Sequence, residues 1–271
     1  MPFRVDPDPS FKDALAAADR PLAGMWVCSA SPLVAEICAG AGLDWLLIDA
    51  EHSPNGLESI LAQLQAVRGY PATAVVRPPV NDAVLIKQYL DLGVQSLLIP
   101  MVHTASDAAA AVAAAHYPPL GVRGVGSALA RSARWNRIPD YLARASETIT
   151  VMVQIESVEA VANAAAIAGT AGIDAVFVGP SDLAASMGLL GQQDHPDVVA
   201  AVERTICAVK AAGKPVGVNA FAEATARRYL DAGVDFILVG ADVALLARGS
   251  EALAATYLPV PSTRPGTPAS Y

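Results

Sequence analysis

Three cysteines in 271 residues, Cys28, Cys38 and Cys207, form an odd and sparse set with no C-x-x-C or zinc-type spacing. That excludes a disulfide framework and reads as reduced thiols. Charged residues reach only 16% and aromatics 6%, while apolar residues make up 54%, which excludes a disordered chain and supplies a sizeable core. No uninterrupted apolar run exceeds the eight residues 108–115, far short of the ~20 needed to cross a bilayer, so a soluble protein is expected. Positive charge is also short. Against 26 Asp and Glu stand 18 Lys and Arg, and the net charge of −8 repels phosphate backbones and anionic lipid surfaces. Neither nucleic acid nor a membrane is an expected partner. The first twelve residues, MPFRVDPDPSFK, lack an apolar h-region, so the expected location is cytoplasmic.

What the chain does have is repetition. One pattern, a turn glycine followed by a short apolar strand, occurs as AGLDWLLID (41–49), LGVQSLLIP (92–100), AGIDAVFVG (171–179) and AGVDFILVG (232–240). The glycine suits the left-handed position that ends a helix, and the strand after it suits a sheet covered on both faces. Successive copies start 51, 79 and 61 residues apart, room in each gap for a further strand. GMWV (24–27), TAVVR (73–77), TVMVQIE (150–156) and PVGVNA (215–220) supply four such strands. Between strands lie stretches with helical spacing, such as Leu57, Ile60, Leu61, Leu64 and Val67. Eight strands alternating with helices predict a (β/α)8 TIM barrel in one domain over residues 1–259, ending in a C-terminal helix. A doubly wound sheet is the alternative, but no G-x-G-x-x-G follows the first strand. Residues 260–271, rich in Pro, Ser and Thr, are expected to be a flexible tail.

In such a barrel the strands deliver their chemistry at their carboxyl ends. The second strand leads to Asp49, Glu51 and His52, the third ends in Arg77 and the fifth in Gln154 and Glu156. The sixth leads to Ser181 and Asp182, the seventh to Asn219 and the eighth to Asp242. Any one of these alone suits a solvated loop or an ion pair; together they suggest a site. Glu156 and Asp182 close neighbouring strands, and two carboxylates held close either share a proton or bind a hard divalent cation such as Mg2+ or Mn2+. Arg77 reaching the same space is the competing explanation. The turn GPSD (179–182) opens a helix whose Ser181 and Asp182 N–H groups can hold a carboxylate. Next to a cation this suits a 2-keto acid, whose enolate Arg77 would stabilise, with His52 moving a proton.

The four lysines, Lys12, Lys87, Lys210 and Lys214, end no strand, which disfavours imine chemistry. In GADVALL (240–246), Asp242 would repel a phosphate. Arg123, Arg131, Arg134, Arg137 and Arg144 cluster beside Trp135 in the long segment between the fourth and fifth strands. That segment is expected at the catalytic end, as a subunit contact or a funnel for carboxylates, with Arg123 nearest the pocket.

The motifs DWLLIDAEHSPN (44–55), VVRP (75–78), IKQYLDLG (86–93), PMV (100–102), GVRGVGSALARSARWNRIPDY (121–141), QIES (154–157), VGPSDLAASMG (178–188) and RYLDAG (228–233) resemble those of the HpcH/HpaI aldolase family. Within that family the motifs resemble the 4-hydroxy-2-oxoheptanedioate aldolase type. The resemblance implies a barrel of the phosphoenolpyruvate/pyruvate-binding type and a class II aldolase joining pyruvate, or a 3-substituted pyruvate such as hydroxypyruvate, to an aldehyde. It implies Glu156 and Asp182 as ligands of Mg2+ or Mn2+, with Co2+ as a third candidate. By the same resemblance Arg77 would grip the keto oxygen, His52 with Asp91 would form a proton-transfer dyad, and Ser181 and Asp182 would bind the carboxylate. Gln154, Arg123 and Asn219 complete the expected substrate contacts. The family further implies a homo-hexamer exchanging C-terminal helices and a role in aromatic catabolism. Asn219 and Phe221 depart from the often aliphatic residues of relatives near the aldehyde. On the same fold, a lyase or mutase acting on phosphoenolpyruvate-like substrates is the alternative, and a keto-acid-binding barrel without turnover is a third reading.

Overall fold

The computed structural model describes residues 7–258. The first half of the chain runs α1 (Phe11–Ala17), β1 (Leu22–Val27), α2 (Pro32–Ala39), β2 (Trp45–Asp49), α3 (Leu57–Ala66), β3 (Thr73–Arg77), α4 (Ala83–Asp91), β4 (Ser96–Ile99) and α5 (Ala105–Ala115). The second half runs α6 (Tyr141–Arg144), β5 (Thr150–Ile155), α7 (Val158–Ala162), α8 (Ala164–Ala168), β6 (Ala175–Val178), α9 (Pro180–Ser186) and α10 (Pro196–Ala211). It finishes with β7 (Val216–Asn219), α11 (Glu223–Asp231), β8 (Phe236–Ala241) and α12 (Asp242–Tyr257). All eight strands pair in parallel with their sequence neighbours, and β8 closes on β1, so the sheet is a barrel. This is the fold that the interleaved repeats predict. No helix among the described residues is long and apolar enough to cross a membrane.

The strand residues divide between two cores because alternate side chains point to opposite faces. Leu46, Ile48, Val76, Leu97, Val153 and Val176 belong to the outer layer under the helices. Trp45, Leu47, Val75, Met152, Phe177 and Phe236 fill the barrel. Trp45 and Phe236 meet edge to face with ring centres 5.7 Å apart. Their bulk needs an absent side chain elsewhere: a Cβ on Gly24 of β1 would stand 2.5 Å from the Trp45 indole.

Two features differ from the sequence expectation. The segment before β1 forms a helix, α1, that closes the amino-terminal end of the barrel. Phe11 is wholly buried 5.0 Å from the Trp45 ring, and its backbone N–H donates to Ser96 Oγ (2.9 Å). The second difference is the long insertion. Because α5 carries the chain back across the barrel before the insertion begins, residues 117–149 lie at the amino-terminal end, where Arg131 Nη1 donates to Leu92 O (2.7 Å). The expected placement at the catalytic end is corrected accordingly, and with it the carboxylate funnel. The tail at 260–271 lies outside the described residues.

Candidate active site

Asp49, the last residue of β2, organises the mouth. It is buried, and its Oδ1 accepts from the Glu51 N–H (3.0 Å) and from Arg77 Nε (2.9 Å). Its Oδ2 accepts from the His52 N–H (3.2 Å), and its carbonyl accepts from Ser53 Oγ and from Asn55 Nδ2 (2.7 Å). One residue thus folds the turn 50–55 and aims the arginine of the next strand.

Arg77 is 4% exposed. Its Nη1 lies 3.0 Å from Glu51 Oε2 and donates to Gln154 Oε1 (3.4 Å), and its guanidinium lies 4.2 Å from the centre of the Trp26 indole. Burial works against the charge, but the hydrogen bond to Asp49 and the charges of Asp49, Glu51 and Glu156 outweigh it and raise the guanidinium above its ordinary range. Arg77 stays a cation.

Glu156, one residue beyond β5, is 3% exposed. Its Oε1 accepts from the Met101 N–H (2.7 Å) and its Oε2 from Gln154 Nε2. Burial pushes its carboxyl up to about 7, opposed by the Met101 hydrogen bond and reinforced by the negative charges of Asp182 and Glu51. Glu51 is raised as well, first by burial, with the Asp49 and Asp182 charges adding to it and Arg77 and His52 opposing. The mouth therefore holds more negative charge than its one buried arginine neutralises.

β6 pairs with β5, and the residue after it, Gly179, leads into α9. A Cβ on Gly179 would stand 3.0 Å from Glu156 Oε2 and 2.8 Å from Gln154 Nε2, so a bare backbone is needed where this turn crosses the acid. Pro180 opens α9, and the first intrahelical bond runs from the Leu183 N–H to Gly179 O (3.1 Å). The N–H groups of Ser181 and Asp182 precede that bond and stay available to a ligand. The Ser181 side chain itself donates to Gln193 Oε1 (2.7 Å).

A cavity of about 470 Å³ opens at this mouth. Its walls include Trp26, His52, Arg77, Gln154, Asp182 and Asn219, drawn from six different strands or the turns after them. Asn219 Oδ1 accepts from Trp26 Nε1 (2.8 Å), which fixes the amide so that Nδ2 is left without an acceptor among the described residues. His52 is largely exposed, with Nε2 3.9 Å from Glu51 Oε2.

The other expected residues lie elsewhere. Asp91 ends α4, on the amino-terminal side, and its Oδ1 accepts from Arg123 Nη2 (2.7 Å). Arg123 is 2% exposed and stacks 4.5 Å from the Tyr117 ring. Within one chain neither lines the cavity, and Asp91 does not meet His52. Asp242 is not a free acid of the mouth: it accepts from the N–H groups of Cys28 (2.8 Å) and Ser29 (3.0 Å), clasping the loop after β1. Sequence reasoning passed over Trp26 and Phe177, the apolar floor of the cavity. Both were discoverable, because inward-facing residues alternate along a strand and these are the last inward ones of β1 and β6.

A sequence model of the HpcH/HpaI aldolase/citrate lyase family matches residues 22–249. The chain belongs to that family. A 4-hydroxy-2-oxo-heptane-1,7-dioate aldolase of Salmonella dublin is 56% identical over 248 residues, covering 92% of this chain and 94% of the relative. An HpcH/HpaI aldolase/citrate lyase family protein from Burkholderia cenocepacia J2315 superposes with a TM-score of 0.87 at 42% identity, covering 92% of this chain and 99% of that one. The HpcH/HpaI aldolase from Desulfitobacterium hafniense DCB-2 does so with a TM-score of 0.85 at 28% identity, covering 95% and 100%. As a member of the family the protein is an aldolase, a carbon–carbon lyase acting on small molecules.

Proposed function

We propose that the protein is a divalent-metal-dependent aldolase that reversibly cleaves 4-hydroxy-2-keto acids to pyruvate, or a 3-substituted pyruvate such as hydroxypyruvate, and an aldehyde. The observation that carries this reading is the surplus of negative charge at one barrel mouth, where burial and then the Asp182 charge disfavour ionisation of Glu156 beside a buried arginine. Among the described residues no group of three or more His, Cys, Asp and Glu side chains is placed to hold an ion. Two carboxylates with room for water and substrate oxygens suit Mg2+ or Mn2+, with Co2+ as the third candidate. Glu156 and Asp182 would hold the ion, which when bound supplies positive charge to the oxygen where enolate charge develops.

The chain's own residues do the rest. The N–H groups of Ser181 and Asp182 bind the carboxylate, and Arg77, aimed by Asp49 and Gln154, donates to the keto oxygen. His52 takes the proton of the 4-hydroxyl as the C3–C4 bond breaks; the aldehyde leaves, and the enolate of the keto acid is then protonated at C3. The resemblance adds Asp91 to orient His52, and the position of Arg123 between glycines in GVRGVG adds it to the substrate contacts. Since one chain keeps these two on the opposite face, that role requires a second subunit. The C-terminal helix supports such an assembly: Leu245, Leu246 and Leu253 of α12 are each about two-thirds exposed. We therefore propose a homo-oligomer, a hexamer by family resemblance.

The test is retro-aldol cleavage of a 4-hydroxy-2-keto acid, read as pyruvate release. Chelator treatment is expected to abolish turnover and added Mg2+ or Mn2+ to restore it. Arg77→Ala is expected to lower kcat by about 10²–10³, the loss seen when a transition-state oxyanion donor is removed. Full activity in the ion-stripped enzyme would refute the metal, and full activity in the variant would refute the role of Arg77.

A further inference from the structure

A second cavity, of about 680 Å³, lies not at the mouth but at the opposite, amino-terminal end of the barrel. Its walls include the first residues of β3 and β4, Thr73 and Ser96, so the length of the strands separates it from Arg77. Three arginines converge on it. Arg68 comes from the turn after α3, and Arg131 and Arg134 come from the insertion that folds beneath the barrel.

The backbone is shaped to bring them there. Arg134, Trp135 and Asn136 occupy the left-handed region in succession, with φ of 51°, 55° and 63°, a conformation that residues other than glycine seldom adopt. Gly93, with φ of +93°, leaves room for the incoming side chain: a Cβ there would stand 2.8 Å from Arg131 Nη1. Arg131 Nη1 donates to Leu92 O (2.7 Å) and Arg134 Nη1 to Arg131 O (3.2 Å), so each guanidinium is fixed through one of its five N–H groups. Arg134 Nε is buried and has no hydrogen-bond partner among the described residues. Of the described residues lining the cavity, Asp8 is the acid, and its Oδ2 lies 3.4 Å from Arg68 Nε. Burial depresses Arg131 to about 10, and the positive charges of Arg134 and Arg68 push in the same direction, with Asp8 opposing.

Fixed, partly desolvated guanidinium groups that repel one another are costly unless an oxyanion bridges them, and their planar forks match such a group. We infer that this cavity binds a compact oxyanion of charge about −2, a phosphate or a small dicarboxylate, at a site separate from the catalytic mouth. The inference stands independently of the proposed aldol chemistry, since within one chain none of its residues lines the substrate cavity.

Calorimetric titration of the full chain with inorganic phosphate, and separately with succinate, tests it and tells the two ligand sources apart. Saturable binding of at least one is expected, weakened at least tenfold in Arg134→Gln, the loss of one charged hydrogen bond. Arg68→Gln, which alters no backbone contact of the insertion, guards against misfolding and is expected to weaken binding likewise, while both variants keep wild-type aldol activity. An anion-soaked crystal should place the ligand between Arg131 and Arg134. No saturable binding, equal affinity in wild type and both variants, or a carboxylate of a neighbouring subunit seated among the arginines would overturn the inference.

Discussion

At the scale of single residues, the mouth is governed by which hydrogen bonds are already taken. Asn219 spends its oxygen on the Trp26 indole and so offers the cavity only a donor. That donor fits a substrate carrying an oxygen beyond the reacting carbonyl, such as a hydroxy-aldehyde. Asn219→Leu should therefore lower kcat/KM about tenfold for glycolaldehyde addition and leave propanal little changed, the discrimination expected when a site loses a group built to pair with a substrate oxygen. Parallel steady-state assays of the two aldehydes check this, and an unchanged ratio refutes it. Cys28, close by, makes the opposite case of a group kept silent. Burial pushes its thiol up to about 12, and the charges of Asp49 and Asp242 add to the effect against the pull of Arg77. A raised thiol is deprotonated only as pH approaches that value, and the thiolate is the nucleophile. Iodoacetamide at pH 8 should thus label exposed Cys207 and spare half-buried Cys28, as peptide mass analysis would show; rapid labelling of Cys28 would contradict the raised thiol.

At the scale of elements, α1 carries more than its seven residues suggest. Phe11 plugs the barrel end against Trp45 and Phe236, and Lys12 Nζ donates to Ile149 O (2.7 Å), tying the plug to the residue before β5. Phe11→Ala should cost about 3–5 kcal/mol, the usual loss for a buried phenylalanine, read as a lowered denaturant midpoint. A midpoint within error of wild type would mean that α1 packs only loosely in solution. This helix was not legible in the sequence because seven residues are too few to display a 3.6-residue period. Four of the eight strands were legible because each couples a turn glycine to a buried apolar run, and the other four because the gaps between those copies each hold room for a further apolar run. The same regularity placed Asp49, Arg77, Glu156 and Asp182 at one mouth. The insertion was misplaced for a different reason: its nearness to β4 in sequence hides the return journey made by α5, which reverses the end of the barrel it occupies. Arg123 and Asp91 share that reversal, and no local pattern announces it.

At the scale of the whole molecule, this reversal decides how a site can be completed. His52 stands largely exposed at the carboxyl end, while Asp91 is held by Arg123 at the amino-terminal end. If the two act as a proton-transfer dyad, they must come from different subunits, so the active site belongs to the assembly and not to the chain. His52→Gln and Asp91→Asn should each lower turnover strongly when expressed alone. Coexpressed at a one-to-one ratio, they should recover activity, because a site that takes His52 from one chain and Asp91 from its neighbour is intact in roughly a quarter of random pairings. The measurement is specific activity of the purified mixed oligomer against each parent. A dyad formed within one chain would give no recovery, since every chain in the mixture then lacks one member. Wild-type turnover by Asp91→Asn alone would remove Asp91 from the mechanism and leave its pairing with Arg123 as a purely structural bond.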